Sequence, residues 1–109
     1  MKKLLLTGIG ASPGLAEGKA YLFLPGDNPA LFSDGDILVT TITDPTMVQA
    51  MVKAGAIVTD IGGIMSHPAI LSREMGLPCI VNTKNATEKI KNGQKILVDG
   101  YKGEVYVLD

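Results

Sequence analysis

The chain has 109 residues, 46% of them hydrophobic, which suits one domain with its own core and leaves too little chain for a second. Ten basic and eleven acidic residues give a net charge of −1, so the broad basic surface that binds nucleic acid or anionic lipid is missing. One cysteine, Cys79, and one histidine exclude an internal disulfide and a Cys/His zinc site. We therefore expect residues 1–109 to form a single cytoplasmic domain whose partners are proteins or small molecules.

The opening residues MKKLLLT resemble a signal peptide, but the apolar run ends at Thr7 and is too short for one, so we expect a strand there. Alternation and turn residues predict strands at 4–9, 15–24, 37–41, 56–59, 79–81, 95–98 and 104–108, and helices at 45–54, 68–75 and 86–92. Residues 25–36 are rich in Pro, Gly and Asp and predict a surface loop. The order predicts a mixed α/β domain, with parallel strands in central βαβ units and strand pairs at both ends of the sequence.

A glycine pair lies between the fourth predicted strand and the second predicted helix, in residues 61–66, which we call the glycine loop. In parallel α/β sheets, ligands bind beyond the carboxyl ends of strands, where this loop falls. Gly62 and Gly63 can turn their amides toward an anion, which predicts a phosphate-binding concavity. A simple turn before a helix explains the same glycines, so both interpretations stay open.

His67 precedes Pro68, and this order predicts that His67 is the N-cap of the following helix. The positive end of a helix dipole disfavours an imidazolium ion, and a neutral ring has the lone pair needed for attack on phosphorus. The same helix end would stabilise the negative phosphoryl group afterwards. A histidine that only caps the helix is the alternative interpretation.

The segment GGIMSHPAILSREMGLPCIV resembles the phosphohistidine signature of the phosphoenolpyruvate-utilizing enzymes, such as pyruvate phosphate dikinase, phosphoenolpyruvate synthase, enzyme I and the rifampin phosphotransferases. The matching residues are Gly62, Gly63, His67, Ala69, Ile70, Leu71, Arg73, Glu74, Gly76, Leu77, Pro78, Ile80 and Val81. Segments on both sides extend the resemblance to roughly residues 8–109. It implies a three-layer swivelling β/β/α domain that carries a phosphoryl group on His67 between two active sites.

The resemblance also implies partners. An ATP-grasp nucleotide-binding domain and a phosphoenolpyruvate- or pyruvate-binding domain would supply donor and acceptor, with pyruvate or AMP as possible acceptors. Mg²⁺ would belong to the partner domain, and this chain would bind no cofactor itself. The carrier alone would then have no turnover.

Two residues depart from the family's pattern. Met65 stands where relatives usually have Thr or Ser, and Pro68 replaces a small residue and removes a backbone N–H. Both changes would weaken phosphate stabilisation modestly. They also support an alternative function, a regulatory or interaction module that keeps the fold but has lost phosphotransfer. A third hypothesis is a module that binds a phosphate ligand reversibly.

Other residues near the loop have open roles. Ser66 would either orient the phosphoryl group or bond to its own loop backbone. Arg73 lies about 9 Å of helix rise from His67, which favours an ion pair or contact with a partner. Thr59 and Asp60 end a strand and are expected to hold the loop in shape.

Thr43 and Asp44 precede a predicted helix and are interpreted as its cap. Three apolar residues of the glycine loop are expected to be exposed and to form a docking patch for a partner: Ile61, Ile64 and Met65. Cys79 lies in an apolar strand and is expected to be buried.

Overall fold

The computed structural model describes residues 2–24 and 26–108. Its strands are β1 Lys2–Thr7, β2 Ile9–Ser12, β3 Leu15–Leu22, β4 Ile37–Thr40, β5 Ala56–Thr59, β6 Cys79–Val81, β7 Lys95–Asp99 and β8 Glu104–Leu108. Its α-helices are α1 Val48–Met51, α2 His67–Met75 and α3 Ala86–Lys89, and 3₁₀ helices span Pro29–Leu31 and Pro45–Met47. The predicted loop at 25–36 therefore contains one helical turn, and its first residue lies outside the described residues.

The eight strands follow the order β1-β8-β7-β3-β4-β5-β6-β2. Strands β4, β5 and β6 are parallel neighbours, as the central βαβ pattern predicts. Strand β3 also lies parallel to β4, which the sequence pattern did not predict. Strands β7 and β8 form an antiparallel hairpin at the end of the chain. The early strands pair with later ones rather than with each other, because β1 lies beside β8 and β2 beside β6.

The layers follow from the alternation of side chains along β4, β5 and β6. Ile37, Val39 and Val58 point into a core shared with β7 and β8, which contribute Ile96, Val98 and Val105. Leu38, Ile57 and Cys79 point to the opposite face and pack with residues of α1 and α2, among them Met51 and Ala69. Because both faces of these central strands are covered, their sequences are mostly apolar at consecutive positions. The predicted three-layer β/β/α architecture is confirmed.

Gly8 explains the largest difference from the predicted elements. The strand expected at 4–9 is divided at Gly8 into β1 and β2, which lie at opposite edges of the strand order. A Cβ at Gly8 would lie 2.6 Å from the carbonyl oxygen of Val81, and the Gly8 amide donates to the oxygen of Gly103 at 2.8 Å. Close backbone contact on two sides bends the chain there, and a hydrophobic pattern does not encode that bend.

The helix expected at 45–54 is shorter than predicted. It starts at Asp44, whose carboxylate accepts from the Thr46 amide as an N-cap, but the α-helical part ends at Met51. The chain then leaves the helix because Lys53 accepts from the Gly35 amide and Gly55 donates to Asp36. Tertiary hydrogen bonds outweigh local helix propensity in this segment. The third helix is also shorter and ends at Lys89.

Candidate functional site

The glycine loop leaves the carboxyl end of β5, where hydrogen bonds to the neighbouring strand hold its first residues. The amides of Asp60 and Ile61 donate to the oxygens of Thr40 and Thr41, each at 3.1 Å. The Thr59 hydroxyl donates to the oxygen of Ile61 at 2.8 Å. Thr59 therefore shapes the start of the loop, as expected from its position.

Asp60 ties the loop to the segment after β6. Its buried carboxylate accepts from the amide of Thr87 at 2.9 Å and from the Thr87 hydroxyl at 2.6 Å. The oxygen of Asp60 accepts from the amide of Lys84 at 2.7 Å, and Lys84 has a φ of 76°. The left-handed conformation of a lysine is unusual, and here the hydrogen bond to Asp60 accompanies it.

The two glycines of the loop have different surroundings. Gly62 has a φ of 113°, and a Cβ there would lie 3.0 Å from the Ser66 hydroxyl and 3.1 Å from Ile42 Cδ1. Gly63 has open space where a Cβ would be. Gly62 is thus required by the backbone, whereas the surface beside Gly63 has room for a ligand group.

Ser66 closes the loop on itself. Its hydroxyl donates to the oxygen of Gly63 at 2.6 Å, and its amide donates to the same oxygen at 3.0 Å. Of the two roles expected for Ser66, this geometry favours the bond to its own loop backbone. A hydroxyl so engaged retains lone pairs for accepting a hydrogen bond.

His67 is the first residue of α2, and Ser66 is the N-cap. The prediction that His67 itself is the N-cap is wrong by one residue, because Pro68 occupies the second helical position rather than the first. The ring still lies in the first turn, at the positive end of the helix. The helix ends as predicted at Gly76, which has a left-handed φ of 73°.

The imidazole of His67 is held at one nitrogen. Nδ1 lies 2.8 Å from the hydroxyl oxygen of Thr43, which is buried at the carboxyl side of β4. Across residues 2–24 and 26–108, no hydrogen-bond partner is found for Nε2, and the side chain is partly exposed. When Nδ1 carries the proton and donates to Thr43, the lone pair is on Nε2.

Thr43 is the site residue that sequence reasoning missed, because it was interpreted with Asp44 as a helix cap. Asp44 does cap the 3₁₀ helix, and its pKa is lowered by hydrogen bonds from the Thr46 side chain and amide and, more weakly, by the nearby His67. Thr43 instead turns its hydroxyl to the histidine, 24 residues along the chain. The usable signal was that both residues follow strands that are parallel neighbours, so their carboxyl ends meet.

The His67 side chain is partly exposed. Among the described residues, cavities of about 510 Å³ lie beside β1 and beside β4, and neither is lined by His67. Loop residues that flank the histidine are exposed as expected: Ile61 to 51%, Ile64 to 55% and Met65 to 77%. Exposed apolar side chains beside the histidine are typical of a surface that contacts another protein or domain.

Arg73 projects from the second turn of α2 and contacts two main-chain carbonyls. Its guanidinium donates to the oxygen of Ala11 in β2 at 2.9 Å and to the oxygen of Ile64 in the glycine loop at 2.5 Å. The side chain thus bridges the edge strand and the loop, a role different from the ion pair or the partner contact that the sequence suggested.

Residues 2–24 and 26–108 contain no group of three or more His, Cys, Asp or Glu side chains placed to hold a metal ion. None of the described helices has the length and apolar character to cross a membrane.

Fold and site together define a three-layer β/β/α domain that exposes one histidine at a glycine loop. Residues 32–103 match the family model described as PEP-utilising enzyme, mobile domain. The chain belongs to this family, so the resemblance inferred from residues 62–81 is confirmed.

Similar proteins include phosphoenolpyruvate synthases and a phosphotransferase. The chain is 51% identical to phosphoenolpyruvate synthase of Pyrococcus furiosus over 104 residues, which is 95% of this chain and 13% of that protein. It is 53% identical to the probable phosphoenolpyruvate synthase of Archaeoglobus fulgidus, over 95% of this chain and 14% of that protein. It is 44% identical to the rifampicin phosphotransferase of Bacillus cereus, over 94% of this chain and 12% of that protein. The chain thus spans about one eighth of the length of these relatives.

Solved structures with a similar fold belong to two different kinds of protein. A solution NMR structure of Enzyme I matches with a TM-score of 0.64 and 29% identity, over 74% of this chain and 34% of that chain. The crystal structure of Thermococcus kodakaraensis aconitase X matches with a TM-score of 0.70 over 100% of this chain and 99% of that chain. At 22% identity, the second similarity shows the fold alone.

Proposed function

We propose that residues 1–109 form a single phosphohistidine swivelling domain that accepts a phosphoryl group on His67 and passes it to an acceptor. The observation that carries this proposal is the asymmetric environment of the ring. Nδ1 is bonded to Thr43, while Nε2 faces away from that partner on a partly exposed side chain. Nε2 is therefore the attacking atom.

The transfer needs little from the carrier beyond this nitrogen. The Nε2 lone pair forms the N–P bond as the bond between phosphorus and the donor's leaving oxygen breaks, and the ring proton stays on Nδ1 beside Thr43. The phosphorylated ring then carries negative charge near the first turn of α2, where the helix dipole stabilises it. The acceptor reverses these bond changes and restores the neutral imidazole.

The glycine loop supplies the remaining contacts to the phosphoryl group in this proposal. Open space beside Gly63 leaves room for the group, and the positive φ of Gly62 sets the direction of the following amides. Ser66 accepts a hydrogen bond from a protonated phosphoryl oxygen or a bridging water, since its own proton is donated to Gly63. Arg73 and Thr59 support the loop and do not touch the phosphoryl group.

The donor and acceptor belong to partner domains. Phosphoenolpyruvate synthases are several times longer than this chain, so we infer an ATP-grasp domain and a phosphoenolpyruvate- or pyruvate-binding domain as partners, with Mg²⁺ on the partner side. The exposed side chains of Ile61, Ile64 and Met65 would be covered in each docked state, which removes water from the reacting group. Pyruvate and AMP are the acceptors that fit these partners.

Intact-mass spectrometry tests the proposal directly. Incubation with phosphoenolpyruvate, or with ATP, and a candidate partner domain should add one phosphoryl mass that is lost in acid. His67→Ala should abolish the added phosphoryl mass, whereas the control variant Thr40→Val, at a buried threonine outside the glycine loop, should retain it. Stable association with the partner but no phosphorylation would instead support a regulatory module. Phosphate binding that survives His67→Ala would support a reversible anion-binding module.

A further inference from the structure

The outer half of the glycine loop, residues 63–66, has few contacts with the rest of the domain. Gly63 adjoins open space, and Ile64 and Met65 expose 55% and 77% of their surface. Among the described residues, the Gly63 oxygen accepts hydrogen bonds only from Ser66 of the same loop. Such a segment has considerable conformational freedom unless a side chain from outside restrains it.

Arg73 provides that restraint in the described part of the chain. One guanidinium nitrogen donates to Ile64 in the outer half of the loop, and the other donates to Ala11 in β2, 62 residues from Arg73 in the sequence. A planar guanidinium holds two acceptors in a fixed relative position, which a single ammonium cannot do. The geometry therefore connects the loop directly to the sheet.

We propose that Arg73 is a positioning residue that clamps the glycine loop to β2 and so keeps His67 Nε2 aligned for phosphoryl transfer. This inference rests on the proposed function of His67. The clamp acts through the backbone of the loop, which enters α2 directly at His67. Small errors in the placement of a reacting atom cost rate more than stability, so loss of the clamp slows transfer in a domain that remains folded.

A small phosphoryl donor that needs no partner protein distinguishes a role of Arg73 in positioning the loop from a role in contact with a partner. Phosphoramidate is a small phosphoryl donor: the Nε2 lone pair forms the N–P bond, the P–N bond of the donor breaks, and ammonia leaves. Arg73→Ala should reduce this phosphorylation rate by roughly 10- to 100-fold. Glu74→Ala, on the same helix and also exposed, should keep the rate of the original protein.

Chemical rescue and the conservative variant make the test specific. Guanidinium ion at millimolar concentration should restore part of the rate of Arg73→Ala and leave the original protein unchanged, a response that general destabilisation does not give. Arg73→Lys should have an intermediate rate, because an ammonium reaches one carbonyl at a time. Melting temperatures should show that each variant is folded; if Arg73→Ala is not, Arg73→Lys carries the test.

Two results overturn the inference. An unchanged phosphoramidate rate in Arg73→Ala shows that the loop needs no clamp. A defect that appears only with a protein partner, as an increased KM at constant kcat, assigns Arg73 to docking instead. If the original protein itself is not phosphorylated on His67 by phosphoramidate or by a partner, the proposed function fails, and this outcome is distinct from the other two.

Discussion

The hydroxyl oxygen of Thr43 lies 2.8 Å from Nδ1 of His67, although the two residues belong to different βα connections. Thr43 is only 3% exposed, so this hydrogen bond fixes the ring from the buried side and leaves the other nitrogen toward the surface. A buried polar atom that loses its partner pays a desolvation cost, which favours retention of the bond throughout transfer. In the proposed transfer, the pair would therefore leave Nε2 as the reacting nitrogen.

Removal of the Thr43 hydroxyl should slow phosphorylation without removing the nucleophile. Thr43→Val keeps the shape of the side chain but leaves Nδ1 without its hydrogen-bond partner. The phosphorylation rate should fall about tenfold, the factor that corresponds to the loss of one hydrogen bond to the ring as it is phosphorylated. Thr43→Ser should retain most of the rate. The measurement is the rate of phosphoramidate labelling by intact mass.

Thr40→Val is the matched control for Thr43→Val, since Thr40 is also buried and donates to the oxygen of Phe23 at 2.7 Å. It should reduce stability by about 1 kcal/mol and leave labelling unchanged. Equal labelling rates in Thr43→Val and the original protein would contradict the orienting role.

Sequence reasoning located His67 and the glycine loop but not Thr43, and the reason is physical. The histidine and the glycines can be recognised as site candidates from their residue types and from their position before a helix. A threonine before Asp-Pro is equally consistent with a cap, and only the pairing of β4 with β5 brings its hydroxyl beside the ring. The contacts of Arg73 were missed for the same reason, because its acceptors are main-chain carbonyls that no side-chain pattern encodes.

The two loop glycines should respond differently to alanine. Gly62→Ala forces a side chain into a φ of 113° and a Cβ to 3.0 Å from Ser66, so it should reduce the free energy of unfolding by about 1–3 kcal/mol. Gly63→Ala meets open space and should change stability by less than about 0.5 kcal/mol. Urea unfolding of both variants provides the comparison, and similar losses in the two would show that the loop conformation differs from that described here.

Pro68 should limit the lifetime of the phosphorylated state. It occupies the second position of α2 and supplies no N–H to the first turn. Pro68→Ala restores one donor, so the phosphohistidine should hydrolyse roughly two- to tenfold more slowly, which corresponds to a hydrogen bond worth about 0.5–1.4 kcal/mol. Decay of the phosphoryl mass at constant pH measures this, with Pro29→Ala, at the start of a 3₁₀ helix, as the control. An unchanged or shorter half-life would show that the amide at position 68 does not reach the phosphoryl group.

Met65 should matter for the protein partner and not for a small donor. Its side chain is 77% exposed in the glycine loop, and burial of that apolar surface would contribute to docking. Met65→Asp should raise the KM for the partner domain while the phosphoramidate rate stays constant. Leu31→Asp, at a site that is 69% exposed in the 3₁₀ helix Pro29–Leu31, should change neither quantity. Equal effects of both variants would exclude a specific docking patch at Met65.

The architecture was easier to predict than the element boundaries. The apolar runs at 37–41 and 56–59 predicted parallel strands, and the structure buries every residue of β4 and β5 in the central layer. The division at Gly8 was not predictable, because it depends on the approach of Val81 and Gly103 from distant parts of the chain. Local patterns therefore predicted the parallel central strands and the family resemblance implied the three layers, while long-range backbone contacts determined where strands bend and helices stop.

Cys79 should make stability fall steeply at alkaline pH. Burial raises the pKa of its thiol from 9.0 to about 11, and Sγ lies 3.8 Å from the carbonyl oxygen of Pro68 under α2. Between these values the unfolded chain loses the proton while the folded chain keeps it, so the free energy of unfolding decreases as pH rises. A shift of that size corresponds to about 2–3 kcal/mol. Urea unfolding in reducing buffer should show this decrease between pH 8 and 11. Cys79→Ala should be less stable than the original protein at pH 8, but its free energy of unfolding should decrease less between pH 8 and 11. Parallel pH curves for Cys79→Ala and the original protein would show that the thiol has the same pKa in the folded and unfolded states.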